Sequence, residues 1–429
     1  MSKVEISKLF DRRNFIKSAG LGIGAGILGM QYACKSTVSA VAAAPEAPAP
    51  PQAAPAPPAI QGFDQTKTDI DADALWKPVS DRKIKMGLVG FGLCGFSAAF
   101  ELQNHPNVEI VAVSDLFPDR CAALAKYVKC DKTYPSLEEM VKDRNIEAIF
   151  VATDAPSHAR HCIEVLSHGK HVATAVPAMW GSVEEAEKLF ELVKKSGLVY
   201  AMFETSSFHD NLYAMKKIYD AGAFGEIHYS EGEYLHFEPT PLPSYNEWRI
   251  GTPPMHYPTH ATAYYCAVTG GSFTEVSCIG YRNELASLVI PLENKFKNKF
   301  TSEIALFRTS RGGTSRIAVA WDTPGVGAEN GRVYGEKGAY INNFNGVDES
   351  KEIVSKLNLR KPQLPPGVAA GGHGGSHGYL GNDFVEAILL NRRPRVDIAM
   401  ALNMSVCGAI AHQSALKDGE LLKIPQYKL

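Results

Sequence analysis

The run Gly90-Phe91-Gly92-Leu93-Cys94-Gly95 spaces three glycines as a turn suited to a dinucleotide pyrophosphate. Gly90 makes the tight turn, Gly92 leaves room for phosphate, and Gly95 lets a following helix approach the preceding strand. Backbone amides at that helix N-terminus then face the negative charge. Asp115 stands about 20 residues beyond Gly95, where a carboxylate accepts ribose hydroxyls and repels a 2′-phosphate; NAD is therefore favoured over NADP. A second run, His256-Tyr257-Pro258-Thr259-His260, groups two imidazoles and a phenol, side chains suited to moving protons. A third, Gly371-Gly372-His373-Gly374-Gly375-Ser376-His377, has two histidines among glycines and no neighbouring carboxylates. It reads as a loop closing over a substrate rather than a metal tract. Eight scattered cysteines show no zinc-like spacing, and no metal is expected.

Hydrophobic patterning supplies the scaffold for these groups. Residues 83–90 read as a short buried strand entering the glycine turn, with a helix continuing to residue 104. A second strand at 108–114 ends on Asp115, helices follow at 118–127 and 136–142, and a third strand at 148–153 ends on Thr153. Ser157 is a predicted N-cap for a helix over 158–167, which starts on His158 and stops at Gly169. A strand at 171–174 precedes a capping box, Ser182 to Glu185, whose helix Gly197 closes before a strand at 198–203. This alternation implies a parallel sheet, hence an α/β Rossmann domain over 81–205. Residues 206–429 form a second, α+β unit with strand-like runs at 227–235, 273–281, 300–308, 313–321 and 331–334. Late helices over 382–390 and 397–416 are expected to pack on its sheet. Tyr264 and Tyr265 read as core, and Trp321-Asp322 as sheet packing.

A chain of 429 residues is long enough for two cores. With 44 Lys+Arg against 46 Asp+Glu and no polybasic face, nucleic acid is not an expected partner. Asp11-Arg12-Arg13-Asn14-Phe15-Ile16-Lys17 precedes an apolar run at 19–30 too short to span a bilayer, and residues 1–39 resemble a twin-arginine export signal. Periplasmic localisation follows. Cys34 is a candidate lipid-anchored cysteine, with cleavage near residues 40–44 the open alternative. Residues 40–80 are expected to form an Ala/Pro-rich linker.

The order GFGLCG, then VATDAPSHARHCIEVLSHGKHV at 151–172, a proline-bearing loop and SVEEAEKLFELVKKSG at 182–197, resembles the Gfo/Idh/MocA family of NAD(P)-dependent sugar oxidoreductases. The resemblance runs from residue 83 to the end. It implies that 206–429 is an open, mostly antiparallel sheet carrying a carbohydrate on one face, in a homo-oligomer. Typical members read Glu-Lys-Pro where this chain has Ala175-Val176-Pro177. Valine moves no proton, so a dehydrogenase mechanism through that lysine is excluded. His260 matches the family's catalytic histidine, and His256 stands where many members have aspartate.

Both departures resemble glycoside hydrolase family 109, the branch that uses NAD to cleave N-acetylhexosaminides and carries valine and the Tyr-Pro-Thr-His run. The resemblance implies catalytic roles for His260 and Tyr257, with His256 a second acid/base candidate. It implies sugar contacts from Trp248, Arg249, Tyr234, Tyr257 and His260. Cofactor contacts from Thr153, His158, Ala175, Val176 and Thr205 would join those of the glycine turn and Asp115. The implied chemistry is transient oxidation of the sugar, elimination, water addition and re-reduction. An exported dehydrogenase or transhydrogenase is the alternative. Export favours the closed cycle, since no free NAD pool is expected beyond the inner membrane and the cofactor would have to stay tightly bound.

Overall fold

The computed structural model describes residues 74–92, 95–325 and 327–429. The twin-arginine motif, Cys34, the predicted linker up to residue 73, Leu93 and Cys94 lie outside these.

Strands and helices alternate as the pattern requires: β1 (Ile84–Val89), β2 (Val108–Ser114), α1 (Pro118–Val128), β3 (Thr133–Tyr134), α2 (Leu137–Met140), β4 (Ala148–Val151), α3 (His158–Ser167), β5 (His171–Thr174), α4 (Val183–Ser196) and β6 (Tyr200–Met202). The six strands pair in parallel in the order β3-β2-β1-β4-β5-β6, which reverses beside β1. Ligands bind such sheets at that switch point, beyond the carboxyl ends of the strands. β4 is buried throughout because helices cover both faces. The serine half of the capping box forms: Ser182 Oγ accepts the Glu185 amide at 3.2 Å, and Gly197 ends α4 at φ 65°. Ser157 does not cap α3; its hydroxyl donates to Asp154 instead.

The helix expected after the glycine turn is absent. Two short 3-10 turns, Phe96–Ala98 and Leu102–Asn104, stand in its place, separated by Glu101 at φ 62°. A late helix, His377–Leu390, explains the interruption.

The second sheet follows α5 (Asp210–Asp220) and comprises β7 (Ile227–Leu235), β8 (Phe273–Tyr281), β9 (Ser302–Thr309), β10 (Thr314–Ala320), β11 (Ala328–Gly335), β12 (Gly338–Tyr340), β13 (Phe344–Gly346) and β14 (Leu422–Lys423). Its order is β13-β12-β11-β7-β10-β9-β8-β14, with β7 and β10 parallel and the other pairs antiparallel. The strict in-out alternation along β9 reflects one covered face and one open face. Helices α6 (Thr259–Thr269), α7 (Asp348–Ser355), α8 (His377–Leu390) and α9 (Ile398–Ala415) complete the fold. α9 is buried on nearly every side, packing on β8 while also reaching α4 and β6. α8 departs from expectation. Its Leu380, Phe384 and Val385 join Phe100, Phe150 and Phe203 in the Rossmann core, not the second sheet. His377 at its start takes the Ala99 carbonyl at 3.0 Å, and Gly381 lies against the Phe100 carbonyl. Those carbonyls would otherwise have continued the first helix.

α6 carries His260, and a pair of glycines seats it. Gly232 of β7 lies opposite Gly331 of β11. A Cβ on Gly232 would stand 2.0 Å from the Ala261 carbonyl, and one on Gly331 would stand 2.1 Å from Tyr264 Cγ. Gly232→Ala is therefore expected to lift α6, costing about 1–3 kcal/mol of stability. The displaced imidazole should lower turnover about 100-fold, which thermal melts and steady-state rates would read together.

Candidate active site

At the carboxyl end of β1 the chain turns at Gly90, φ 88°, where a Cβ would lie 2.4 Å from the Ala152 carbonyl. Such a close approach leaves no room for a side chain, as a dinucleotide turn requires. Asp115 is nearly buried beside it. Its Oδ2 accepts the amides of Phe91 at 2.8 Å and Gly92 at 3.1 Å, and its Oδ1 accepts the Phe117 amide at 2.9 Å. The carboxylate expected at the ribose thus also anchors the turn. Behind it stands a three-residue 3-10 turn, so no long helix dipole points at the glycine turn.

His158 joins the two neighbouring loops: its ring nitrogens lie 2.9 Å from the Pro177 carbonyl and 3.2 Å from the Thr153 carbonyl. Thr153 Oγ1 is paired with His161 at 2.8 Å, so its hydroxyl serves the loop. Ala175 and Val176 are buried at the end of β5, ahead of a cis peptide to Pro177. The cradle at Gly90, Asp115 at the end of β2 and these small apolar residues fit a nicotinamide dinucleotide.

His260 lies in the first turn of α6, where the helix dipole disfavours a cation. The fully buried carboxylate of Glu204 overcomes this, with Oε1 2.8 Å from His260 Nδ1. Thr205 Oγ1 is 3.4 Å from the same nitrogen, and Glu329 Oε2 is 4.0 Å away. Burial pulls the His260 pKa down, but the Glu204 and Glu329 charges outweigh it and raise the value to about 9. Burial likewise opposes ionisation of Glu204, yet the His260 charge and the hydrogen bonds from His260 and the Ser206 amide hold its pKa below the usual carboxylate range. His260 is thus an imidazolium at neutral pH, not the poised base that its residue type suggested.

The remaining groups form two walls. Tyr257 stacks between Trp248, 6.4 Å away, and Tyr234, 6.0 Å away, while Tyr234 meets His260 at 4.8 Å and Trp321 at 5.6 Å. Arg249 lies 4.4 Å over Trp248. Tyr234, Trp248, Tyr257, Trp321, Arg249 and Glu238 border one narrow pocket; Trp321 lies in the core as expected, its indole donating to the Thr252 carbonyl at 3.1 Å. Burial pushes the Tyr257 phenol up to about 12, and it stays protonated.

The second wall is the glycine loop. His377 donates Nδ1–H to Ala99 and accepts from His373 Nδ1 at 2.8 Å, while Gly374 rests against His209. His209 Nε2 lies 3.5 Å from Glu329. Burial holds His209 and His373 below the ordinary histidine range, and the pull of Glu329 only partly offsets it. The loop therefore reaches Ala99, just beyond the glycine turn, on one side and His209, the neighbour of Glu329, on the other.

His256 is placed elsewhere. Its ring packs against Trp180 at 5.4 Å and His412 at 5.1 Å, behind the pocket wall, and burial lowers its pKa to about 3. Those contacts give it no acid/base partner at the site. Sequence reasoning missed Glu204, Glu329, His209 and Glu238. Glu204 alone had a signal, a carboxylate immediately beyond a buried strand at the sheet's carboxyl edge. The others come from segments that only the tertiary fold brings together.

Residues 84–204 match the GFO_IDH_MocA family model, described as an oxidoreductase family with an NAD-binding Rossmann fold. "Glycosyl hydrolase family 109 protein 1" of Bacteroides fragilis is 28% identical over 204 residues, 43% of this chain and 42% of the relative. The chain thus spans less than half the length of that relative. A "Glycosyl hydrolase family 109 protein" of Streptomyces niveus is 23% identical over 385 residues, 80% of this chain and 77% of its own. Among solved structures, a levoglucosan dehydrogenase in complex with NADH and levoglucosan superposes with TM-score 0.64 at 17% identity, covering 80% of this chain and all of its own. The WlbA dehydrogenase of Bordetella pertussis, in complex with NADH and UDP-GlcNAcA, gives 0.62 at 19% identity, covering 81% and 99%. At these identities the structures share the fold.

Proposed function

We propose that this chain, whose residues 84–204 carry the NAD-binding Rossmann fold of the Gfo/Idh/MocA oxidoreductases, is a glycosidase that oxidises and re-reduces its sugar within one turnover. The observation that carries the reading is the buried His260–Glu204 ion pair packed against the rings of Tyr234 and Tyr257, while Val176 offers no proton carrier at the end of β5. The turn at Gly90 to Gly92, Asp115, Ala175 and Val176 would hold NAD. When bound, it supplies a hydride acceptor that takes a hydride from a sugar carbon and returns it before product leaves.

Oxidation at C3 would lose the carbon-bound hydride together with the hydroxyl proton, which passes to solvent and is regained on re-reduction. The ketone so formed would acidify the C–H at C2, so elimination of the anomeric substituent needs only a modest base. Two imidazoles with opposite shifts divide that work. His209, kept neutral by burial, accepts a proton, with Glu329 stabilising the charge it gains. His260, kept cationic by Glu204, donates to the departing oxygen. Tyr257 holds a sugar hydroxyl as a neutral phenol, and the stacked walls of Tyr234, Tyr257 and Trp248 take the sugar's apolar face. The relatives named for glycosyl hydrolase family 109 support this assignment. Export by the twin-arginine route, and with it a tightly retained cofactor, belongs to the same proposal.

Hydrolysis in D2O tests the chemistry. Elimination and water addition place deuterium at C2 of the released sugar. Product free of deuterium would mean that no C2–H bond breaks, and the reading would fail.

A further inference from the structure

Between Glu238 and Trp248 the chain leaves the second sheet, reaches the Rossmann half and returns. Both roots of this segment are buried: the Glu238 amide donates to the Trp321 carbonyl at 2.9 Å, and Trp248 packs edge-on against Trp180 at 5.4 Å. Pro239, Pro241 and Pro243 stiffen the outgoing arm by fixing φ. At the tip, Tyr245 meets Phe117 edge-to-face with ring centroids 6.3 Å apart. Phe117 is itself fixed, since its amide donates to Asp115 Oδ1 at 2.9 Å and Arg120 lies 4.3 Å over its ring. Beside the tip, Lys295 Nζ donates to the Asn246 carbonyl at 2.5 Å and is close enough to Asp154 to feel its charge.

Phe117 stands in the loop after β2, Asp154 in the loop after β4 and Trp180 in the loop after β5. In the sheet, β1 and β4 lie between β2 and β5, so a segment that meets the first and last of these loops spans the carboxyl ends of the strands, where a dinucleotide lies. We propose that residues 238–248 form a strap across the NAD site, with the Phe117–Tyr245 contact as its clasp. The inference rests on the NAD site assigned above, in which Asp115 marks the ribose end and Val176 the nicotinamide end. The clasp joins protein to protein, not protein to cofactor, so it governs how fast the cofactor leaves. Its two rings are 39% and 38% exposed, and a pair of this kind shifts an open–closed equilibrium about 2- to 10-fold. A strap so held retains a cofactor through oxidation and re-reduction of one substrate and still allows slow exchange.

Cofactor release provides a readout independent of turnover. Protein loaded with NADH would be chased with excess NAD+, and the decay of NADH fluorescence gives the release rate. Tyr245→Ala and Phe117→Ala are each expected to speed release about 2- to 10-fold. The double variant should release no faster than the faster single, because either change alone opens the clasp. Tyr245→Phe keeps the ring and should release at the wild-type rate, and since Tyr245 is partly exposed, both of its variants should keep the fold. Wild-type release from folded Tyr245→Ala would overturn the inference, as would effects that multiply in the double variant, which would mean that Phe117 and Tyr245 act separately. Either result leaves the NAD site standing. If the wild-type protein binds no NADH at all, the NAD reading falls and the strap falls with it.

Discussion

Glu204→Gln is expected to move the alkaline limb of the activity profile from about pH 9 towards or below 6.5, the ordinary histidine value. The glutamine oxygen still accepts a hydrogen bond from His260, but it lacks the charge that outweighs burial. At neutral pH the imidazole would then be largely neutral, and an acid role would be lost, lowering kcat about 100- to 10,000-fold. Partial recovery at lower pH would distinguish lost protonation from lost structure. Stability should follow the same titration. Pairing raises the folded-state pKa of His260 above its unfolded 6.5, so its contribution is full below pH 6.5 and is lost as pH rises through about 9. Glu204, held below its usual range, contributes above 4.5 and loses that contribution as pH falls through its lowered pKa. Melting temperatures of wild type and Glu204→Gln across this range would show the two converging at alkaline pH.

His260→Ala is expected to lower kcat by a similar 100- to 10,000-fold while the protein retains bound NAD, because the residue lies outside the glycine turn. It also strands Glu204, whose Oε2 has no hydrogen-bond partner among the described residues. Breaking a buried ion pair from one side costs about 3–5 kcal/mol. The double variant His260→Ala with Glu204→Gln should regain much of that stability and none of the turnover. Equal instability of the single and double variants would show that the pair is not coupled as described.

The elements that position this site were legible where their determinants are local. Ser182, Glu185 and Gly197 bounded α4 correctly because a cap and a left-handed stop act within one turn. Alternation fixed β7 and β8 to the residue, since one face of that sheet is covered and the other open. The helix after the glycine turn was misread because its Ala99 carbonyl is claimed by His377, 278 positions away. The apolar face of α8 showed that it packs, but not on which sheet. His260 and Tyr257, singled out by their motif, lie together with ring centroids 5.7 Å apart, whereas the charge on His260 was not readable. That charge depends on Glu204, 56 positions earlier, and on Glu329 of β11. His256 carried the right side chain at a suggestive spacing, yet the 3-10 turn Pro254–His256 aims it at Trp180 and His412.

The central claim is a redox cycle that closes within each turnover, and NADH absorbance followed during glycoside cleavage tests it most directly. Holoprotein would be mixed with chromogenic α- and β-hexosides while aglycone and NADH are recorded together. Many equivalents of aglycone released with no accumulating NADH is the predicted result. NADH formed in proportion to a keto-sugar product, without aglycone release, would contradict it and identify a net dehydrogenase.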